Sequence, residues 1–131
     1  MLEDLKVPES TDVYIIAVNE WNDDKAYQQW DIFLVNLKEE PIETVLILSR
    51  GYSDTHKSSI LRHGLGDIPA GDKRKVEMIE DQVFVLTNEY LVTYFYEGKM
   101  IEKTFSFPPN SIKVKNQIKL KDSEYKGVIA E

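Results

Sequence analysis

Short runs of alternating residues, each closed by turn chemistry after a dozen positions or so, constrain this chain more than any other feature. No apolar stripe at helical spacing lasts beyond two turns, so the pattern predicts strands. The first is expected from about Asp12 to Glu20, with Val13, Ile15 and Ala17 on one face and Tyr14, Ile16 and Val18 on the other. Apolar residues on both faces imply an inner or covered strand. A second is expected over Trp30 to Leu37, a third over Ile42 to Ser49, and a weaker one over Lys57 to Leu65. Ser58, Ser59, Arg62 and His63 dilute that fourth strand and mark it as an edge.

Ile68-Pro69-Ala70-Gly71-Asp72 makes a tight turn into a fifth strand, Lys73 to Ile79, whose Val76 and Met78 are expected inside with Lys75 and Glu77 facing water. Glu80 to Leu86 fits either a strand or one helical turn. A hairpin follows: Tyr90 to Tyr96, Glu97-Gly98-Lys99, then Met100 to Phe107, stopped by Pro108-Pro109. About seven antiparallel strands at this spacing make an all-β, two-sheet sandwich. Leu86-Thr87-Asn88-Glu89-Tyr90 resembles a tyrosine corner, whose phenol bonds back to nearby backbone, and this favours an immunoglobulin-like or fibronectin-like topology; alternation alone also permits a small barrel or jelly roll. The expected core is Ile15, Phe33, Val45, Ile47, Val76, Met78, Leu91, Phe95 and Phe105.

With 131 residues and no interdomain linker, 1–131 reads as one domain, with 1–11 as an N-terminal tail and 110–131 as a C-terminal arm or extra strand. In that arm Ile112, Val114, Ile118 and Leu120 fall on one parity and lysines on the other, which predicts a further strand. Cysteine is absent, so disulfides, thiolate metal sites and thiol nucleophiles are excluded. There are 23 Asp and Glu against 16 Lys and Arg. The net charge is −7, with −9 on residues 1–110, which speaks against a nucleic-acid binder. The acidic start Met1-Leu2-Glu3-Asp4-Leu5-Lys6 is unlike a secretory leader, and no apolar run is long enough for a membrane span, so the expected location is the cytoplasm.

No motif supplies a nucleophile, base and oxyanion donor together, and no metal or cofactor spacing occurs, so the sequence reads as noncatalytic with no catalytic, metal or cofactor residues. Ser58, Ser59 and His63 meet a nucleophile's needs by composition only, for there is no Gly-x-Ser-x-Gly elbow. Arg62 and His63 form either an anion-binding pair beside Gly64 and Gly66 or a solvent-facing part of the edge strand, and the second reading is preferred. His56 and His63 lie on opposite faces by parity. Trp21, Tyr27 and Trp30 bracket a polar loop; they either pack across the hairpin or form an exposed surface for a partner or sugar.

The runs Ala17-Val18-Asn19-Glu20-Trp21-Asn22, Trp30-Asp31-Ile32-Phe33-Leu34-Val35-Asn36 and Arg62-His63-Gly64-Leu65-Gly66 resemble those of a family of short uncharacterised bacterial proteins, over about residues 7–128. Some members carry the label phenylalanyl-tRNA synthetase alpha subunit. A synthetase core of that class needs flanking helices and ATP-gripping arginines that this sequence lacks, so the resemblance implies kinship of fold and assigns no functional residue. Two readings of function stand. One is a protein-interaction module that binds a partner or its own copy; the other is a small-ligand or carbohydrate-binding domain using the aromatic loop. The candidate surface residues are Trp21, Tyr27, Trp30, Arg62 and His63.

Overall fold

The computed structural model describes residues 12–131; the N-terminal tail reading of 1–11 lies outside them. Among the described residues nine strands follow one another: β1 (Val13–Trp21), β2 (Gln28–Asn36), β3 (Ile42–Tyr52), β4 (Leu61–Ile68), β5 (Lys73–Ile79), β6 (Thr87–Tyr96), β7 (Lys99–Phe107), β8 (Ile118–Lys119) and β9 (Lys126–Ile129). They form two antiparallel sheets that pack as a sandwich, ordered β5-β2-β1-β9-β8 and β4-β3-β6-β7. Single 3-10 turns form at Asp81–Val83 and Val114–Asn116. The first of them resolves the ambiguous Glu80 to Leu86 stretch as a helical turn.

The inner faces bury Ile15, Ile32, Leu34, Val45, Ile47, Val76, Val92 and Tyr94 between the sheets. Ile15, Val45, Ile47 and Val76 are therefore core as expected. Phe33 is buried elsewhere, on the outer face of the first sheet with Ile16, Val35 and Leu120. Met78 and Phe95 are 43% and 39% exposed, and Leu91 and Phe105 are only half-buried. In β6 the even face turns inward, because Tyr90, Val92 and Tyr94 present the larger buried volume. In β5 a bulge is responsible: Ile32 pairs with Glu77 but Phe33 with Lys75, which leaves Val76 as an extra residue and shifts the alternation. Glu77 and Ile79 then point inward while Met78 points out, the reverse of the expected faces for Met78 and Glu77.

β4 begins later than expected, at Leu61, since the 57–60 stretch makes only an isolated bridge from Lys57 to Tyr52. It is an edge strand, as its composition predicts. The tyrosine corner is not formed. The Tyr90 hydroxyl donates to Glu77 Oε2 on the opposite sheet at 2.7 Å rather than to nearby backbone.

The C-terminal arm does join a sheet, through a different stretch from the one that alternates. β9 pairs with β1, Val128 opposite Ala17, and β8 pairs with β9. Ile112 and Leu120 are buried, but the 3-10 turn at Val114–Asn116 breaks the strand period and leaves Val114 and Ile118 exposed. Leu120 and Tyr125 cover the outer face of β1 and β2, and the Tyr125 hydroxyl donates to the Gly71 carbonyl at 2.9 Å. That cover explains why β1 is apolar on both faces. Gly127 permits the close approach, since a Cβ there would lie 2.5 Å from the Ala17 carbonyl oxygen.

Candidate functional site

The loop between β1 and β2 is organised by Asn22. Its Oδ1 accepts from the Ala26 and Tyr27 amides at 2.8 and 3.2 Å, its own N–H donates to the Tyr27 carbonyl, and Lys25 takes a positive φ of 56° to close the turn. This frame leaves Trp21 58% and Tyr27 57% exposed at its two ends. A hollow of about 520 Å³ beside them is bounded also by Glu20, Asp23, Asp24, Gln29, Asp31 and Lys75.

The floor of the hollow is ordered. Buried Asp31 accepts from Gln29 Nε2 at 2.9 Å and meets Lys75 Nζ at 3.3 Å. Burial pushes the Glu20 carboxyl above its ordinary value, and a hydrogen bond to Asp31 and then that residue's charge push it the same way; Lys73 and Lys75 oppose the shift. Two flat amphipathic rings thus stand over a carboxylate-rich hollow. That chemistry suits a cationic or hydrogen-bond-donating group carried on an apolar stem.

Trp30 takes no part in this surface. It is 9% exposed and meets Phe84 edge-on at a centroid distance of 6.5 Å inside the core. Its inward parity on β2, shared with Ile32 and Leu34, places it between the sheets. The three-ring platform is therefore reduced to Trp21 and Tyr27.

Arg62 and His63 are neighbours on β4 and so point to opposite faces. Arg62 is exposed, whereas the imidazole of His63 turns inward, which corrects the reading of both as solvent-facing. His63 Nε2 lies 3.1 Å from Glu77 Oε1 and 3.1 Å from Ser49 Oγ, and Ser49 Oγ donates to the same carboxylate oxygen at 3.2 Å. With the Tyr90 hydroxyl on Oε2, three side chains of the second sheet converge on one carboxylate of the first. Burial drives the Tyr90 hydroxyl far above the usual phenol range, and the Glu77 charge adds to it. Ser49, Glu77 and Tyr90 of this cluster line a cleft of about 350 Å³ walled by Leu61, Met78, Ile79 and Val83.

Ser49, His63 and Glu77 share the residue types of a hydrolytic triad but differ from it in geometry. In a triad the base meets the nucleophile through one ring nitrogen and the acid through the other. Here Ser49 and Glu77 crowd the same Nε2, and the serine proton goes to the carboxylate. Ser58 and Ser59, the serines the sequence set beside His63, are not in this cluster, while Glu77, which organises it, was expected to face water. Its shared parity with Ile79 is the one hint the sequence carries.

No family model matches the chain, and no curated protein matches it. Among solved structures, the solution structure of R. palustris CsgH superposes with a TM-score of 0.45, at 8% identity, over 78% of this chain and 97% of that one. A likeness this distant brings across neither a ligand nor a residue role. Among the described residues, no helix is long and apolar enough to cross a membrane.

Proposed function

We propose that this chain is a noncatalytic protein-interaction module on a β-sandwich scaffold, with the loop between β1 and β2 as its contact surface. The strand order β5-β2-β1 against β4-β3-β6-β7 supports grouping the scaffold with immunoglobulin-like sandwiches, whose end loops commonly carry recognition. The observation that carries the reading is the exposure of Trp21 and Tyr27 on a loop held rigid by Asn22. Large aromatics on an ordered frame bind with little loss of side-chain entropy and are enriched among residues that dominate interfaces. The shared-nitrogen geometry at His63 supports the noncatalytic half of the reading.

The test is capture of partners from cell lysate by the immobilised full chain, by Trp21→Ala and by Tyr27→Ala. The bound set should fall away in both variants while the melting temperature stays within about 2 °C, as for surface substitutions. Trp30→Ala, by contrast, should cost about 3–5 kcal/mol because it empties a core site. Identical bound sets from all three loop versions would overturn the reading. A second reading, a small-ligand or carbohydrate site, draws on the same hollow beside the two rings. Binding of a defined glycan that shifts Trp21 fluorescence, with no protein captured, would favour it.

A further inference from the structure

The recessed surface beside the aromatic loop continues past it. The hollow next to Trp21 shares Tyr27 and Gln29 with a second hollow of about 310 Å³ at the end of β5, which Met78 and Asp81 also line. That one in turn shares Met78, Ile79, Glu80 and Gln82 with the cleft over Glu77. Three depressions therefore run wall to wall from the loop, across the end of β5, to the gap between the sheets. The bulge in β5 shapes the middle of this groove: by turning Glu77 and Ile79 inward it leaves Met78, a flexible thioether that adapts to varied apolar guests, exposed where the second hollow meets the cleft.

Charge along the groove is mostly of one sign. Glu20, Asp23, Asp24 and Asp31 line the first hollow, Glu80 and Asp81 the second, and Glu77 the cleft. Lys75 and Arg50 share the lining, and both are already engaged: Lys75 Nζ meets Asp31 at 3.3 Å, and Arg50 Nε donates to Glu89 at 2.8 Å. Among the described residues, Asp23, Asp24, Glu80 and Asp81 are left without a cation. Apolar surface is interspersed with these acids, with Trp21 and Tyr27 at one end, Met78 in the middle and exposed Leu61 at the other.

Given the loop as contact surface, we infer that this groove takes an extended segment of a basic partner protein, which names the chemistry of the partner that reading leaves open. An arginine of the segment sits beside Trp21 and Tyr27 against Asp23 and Asp24, and apolar side chains lie over Met78 and beside Leu61. A guanidinium suits that seat better than an ammonium, because it is planar and weakly hydrated, stacks on aromatic rings and forks onto carboxylates. Charge selects a foreign chain over this one. Residues 1–11 carry Glu3, Asp4 and Glu9 against Lys6. Lys6 stands at most about 21 Å of stretched chain from Asp12, whereas β1 carries the backbone about 30 Å from Asp12 to Trp21. Even with its own side chain, Lys6 stops short of Asp23 and Asp24 in the loop beyond. A second copy is disfavoured too: it brings a net charge of −7, and its basic stretch from Lys113 to Lys121 is folded round the Val114–Asn116 turn and holds lysines but no arginine.

The probe is an acetylated, amidated serine heptapeptide with arginine at its second position and leucine at its fourth and sixth, added to the full chain. Binding is read from the NMR shifts of the Trp21 indole N–H and of the Met78 and Leu61 methyls. All three should move together along one saturation curve, while the Met100 methyl on β7 stays put. Citrulline in place of arginine keeps the shape and loses the charge, and should weaken binding about tenfold. Asp23→Asn with Asp24→Asn should weaken the arginine peptide by a similar factor and leave the citrulline peptide unchanged, and added salt should act in the same selective way. Lys6→Gln should change nothing. No shift at all, equal binding of the two peptides, or a shift at Trp21 with Met78 and Leu61 unmoved would overturn the inference, and the loop reading would still stand if capture from lysate depended on Trp21. Tighter peptide binding in Lys6→Gln would give the groove to residues 1–11, and a dimer in light scattering that the peptide splits would give it to a second copy; either result overturns the inference.

Discussion

Two tyrosines on the inner face of β6 should respond with opposite signs when their hydroxyls are removed. Tyr90 donates to Glu77 at 2.7 Å across the sandwich, and a hydrogen bond to a charged acceptor contributes about 1.5–3 kcal/mol. In Tyr90→Phe the carboxylate keeps its contacts from Ser49 and His63, and water from the cleft reaches the vacated oxygen, so the lower half of that range applies: about 1.5–2 kcal/mol. For a chain of this size that is a fall in melting temperature on the order of 5–10 °C. The Tyr94 hydroxyl, two residues on, is buried with no hydrogen-bond partner among the described residues, and burial raises it to about 12. Tyr94→Phe therefore removes a desolvated group that gains nothing in the fold, and stability should hold or rise by up to about 1 kcal/mol. Urea unfolding followed by tryptophan fluorescence, with an unchanged m-value, measures both. The Tyr90→Phe cost should also shrink above about pH 10, the ordinary tyrosine value, because there the unfolded wild type ionises while the folded hydroxyl keeps its proton. Equal costs for the two variants, or a Tyr90→Phe cost below about 0.5 kcal/mol, would refute the assignment of Glu77 as the inter-sheet clip.

Gly127→Ala should destabilise by about 1–3 kcal/mol in urea unfolding, since its Cβ would press on the Ala17 carbonyl and prise β9 from β1; a neutral result would show that the strands part easily. Truncation after Pro109 removes the buried side chains of Ile112, Leu120 and Val128, each contributing about 1.5–3 kcal/mol gross, and so should abolish cooperative thermal unfolding rather than merely lower its midpoint. An unchanged melting temperature would show the arm to be dispensable. Glu20→Gln should stabilise at neutral pH by a few tenths of a kcal/mol, the size of a relieved like-charge pair between strands. The raised Glu20 carboxyl holds its proton better folded than unfolded, so its ionisation costs stability as pH rises; the gain should vanish below about pH 4.5, where both states are protonated. A gain that persists in acid would rule out the Asp31 repulsion as its source.

Strand existence was legible because burial of one face enforces a period of two, and that period is kept in the β6–β7 hairpin and in β3 beyond Val45, while bulges interrupt it in β5 and near the start of β3. The side that faces inward was less legible. In β6 the sequence offers Leu91 and Phe95 against Tyr90, Val92 and Tyr94, and hydrophobicity ranks the first set higher. The fold buries the second, because a tyrosine carries more apolar area than its hydroxyl forfeits once that hydroxyl is bonded, as at Tyr90. Alternation in the C-terminal arm was misleading in detail for a related reason. A 3-10 turn costs little in a segment held at both ends, so Ile112 and Leu120 reach cover without an intervening strand.

The candidate surfaces were legible in inverse proportion to their dependence on register. Trp21 and Tyr27 flank a polar loop in the linear sequence, and their exposure follows from the loop being a hairpin end, although nothing local separates them from Trp30, which one strand's inward parity removes to the core. Glu77 required more. Its inward turn depends on the bulge at Val76, and the bulge exists only in the pairing of β5 with β2. A carboxylate among Lys73, Arg74 and Lys75 looks like an ordinary solvated charge until that pairing is known.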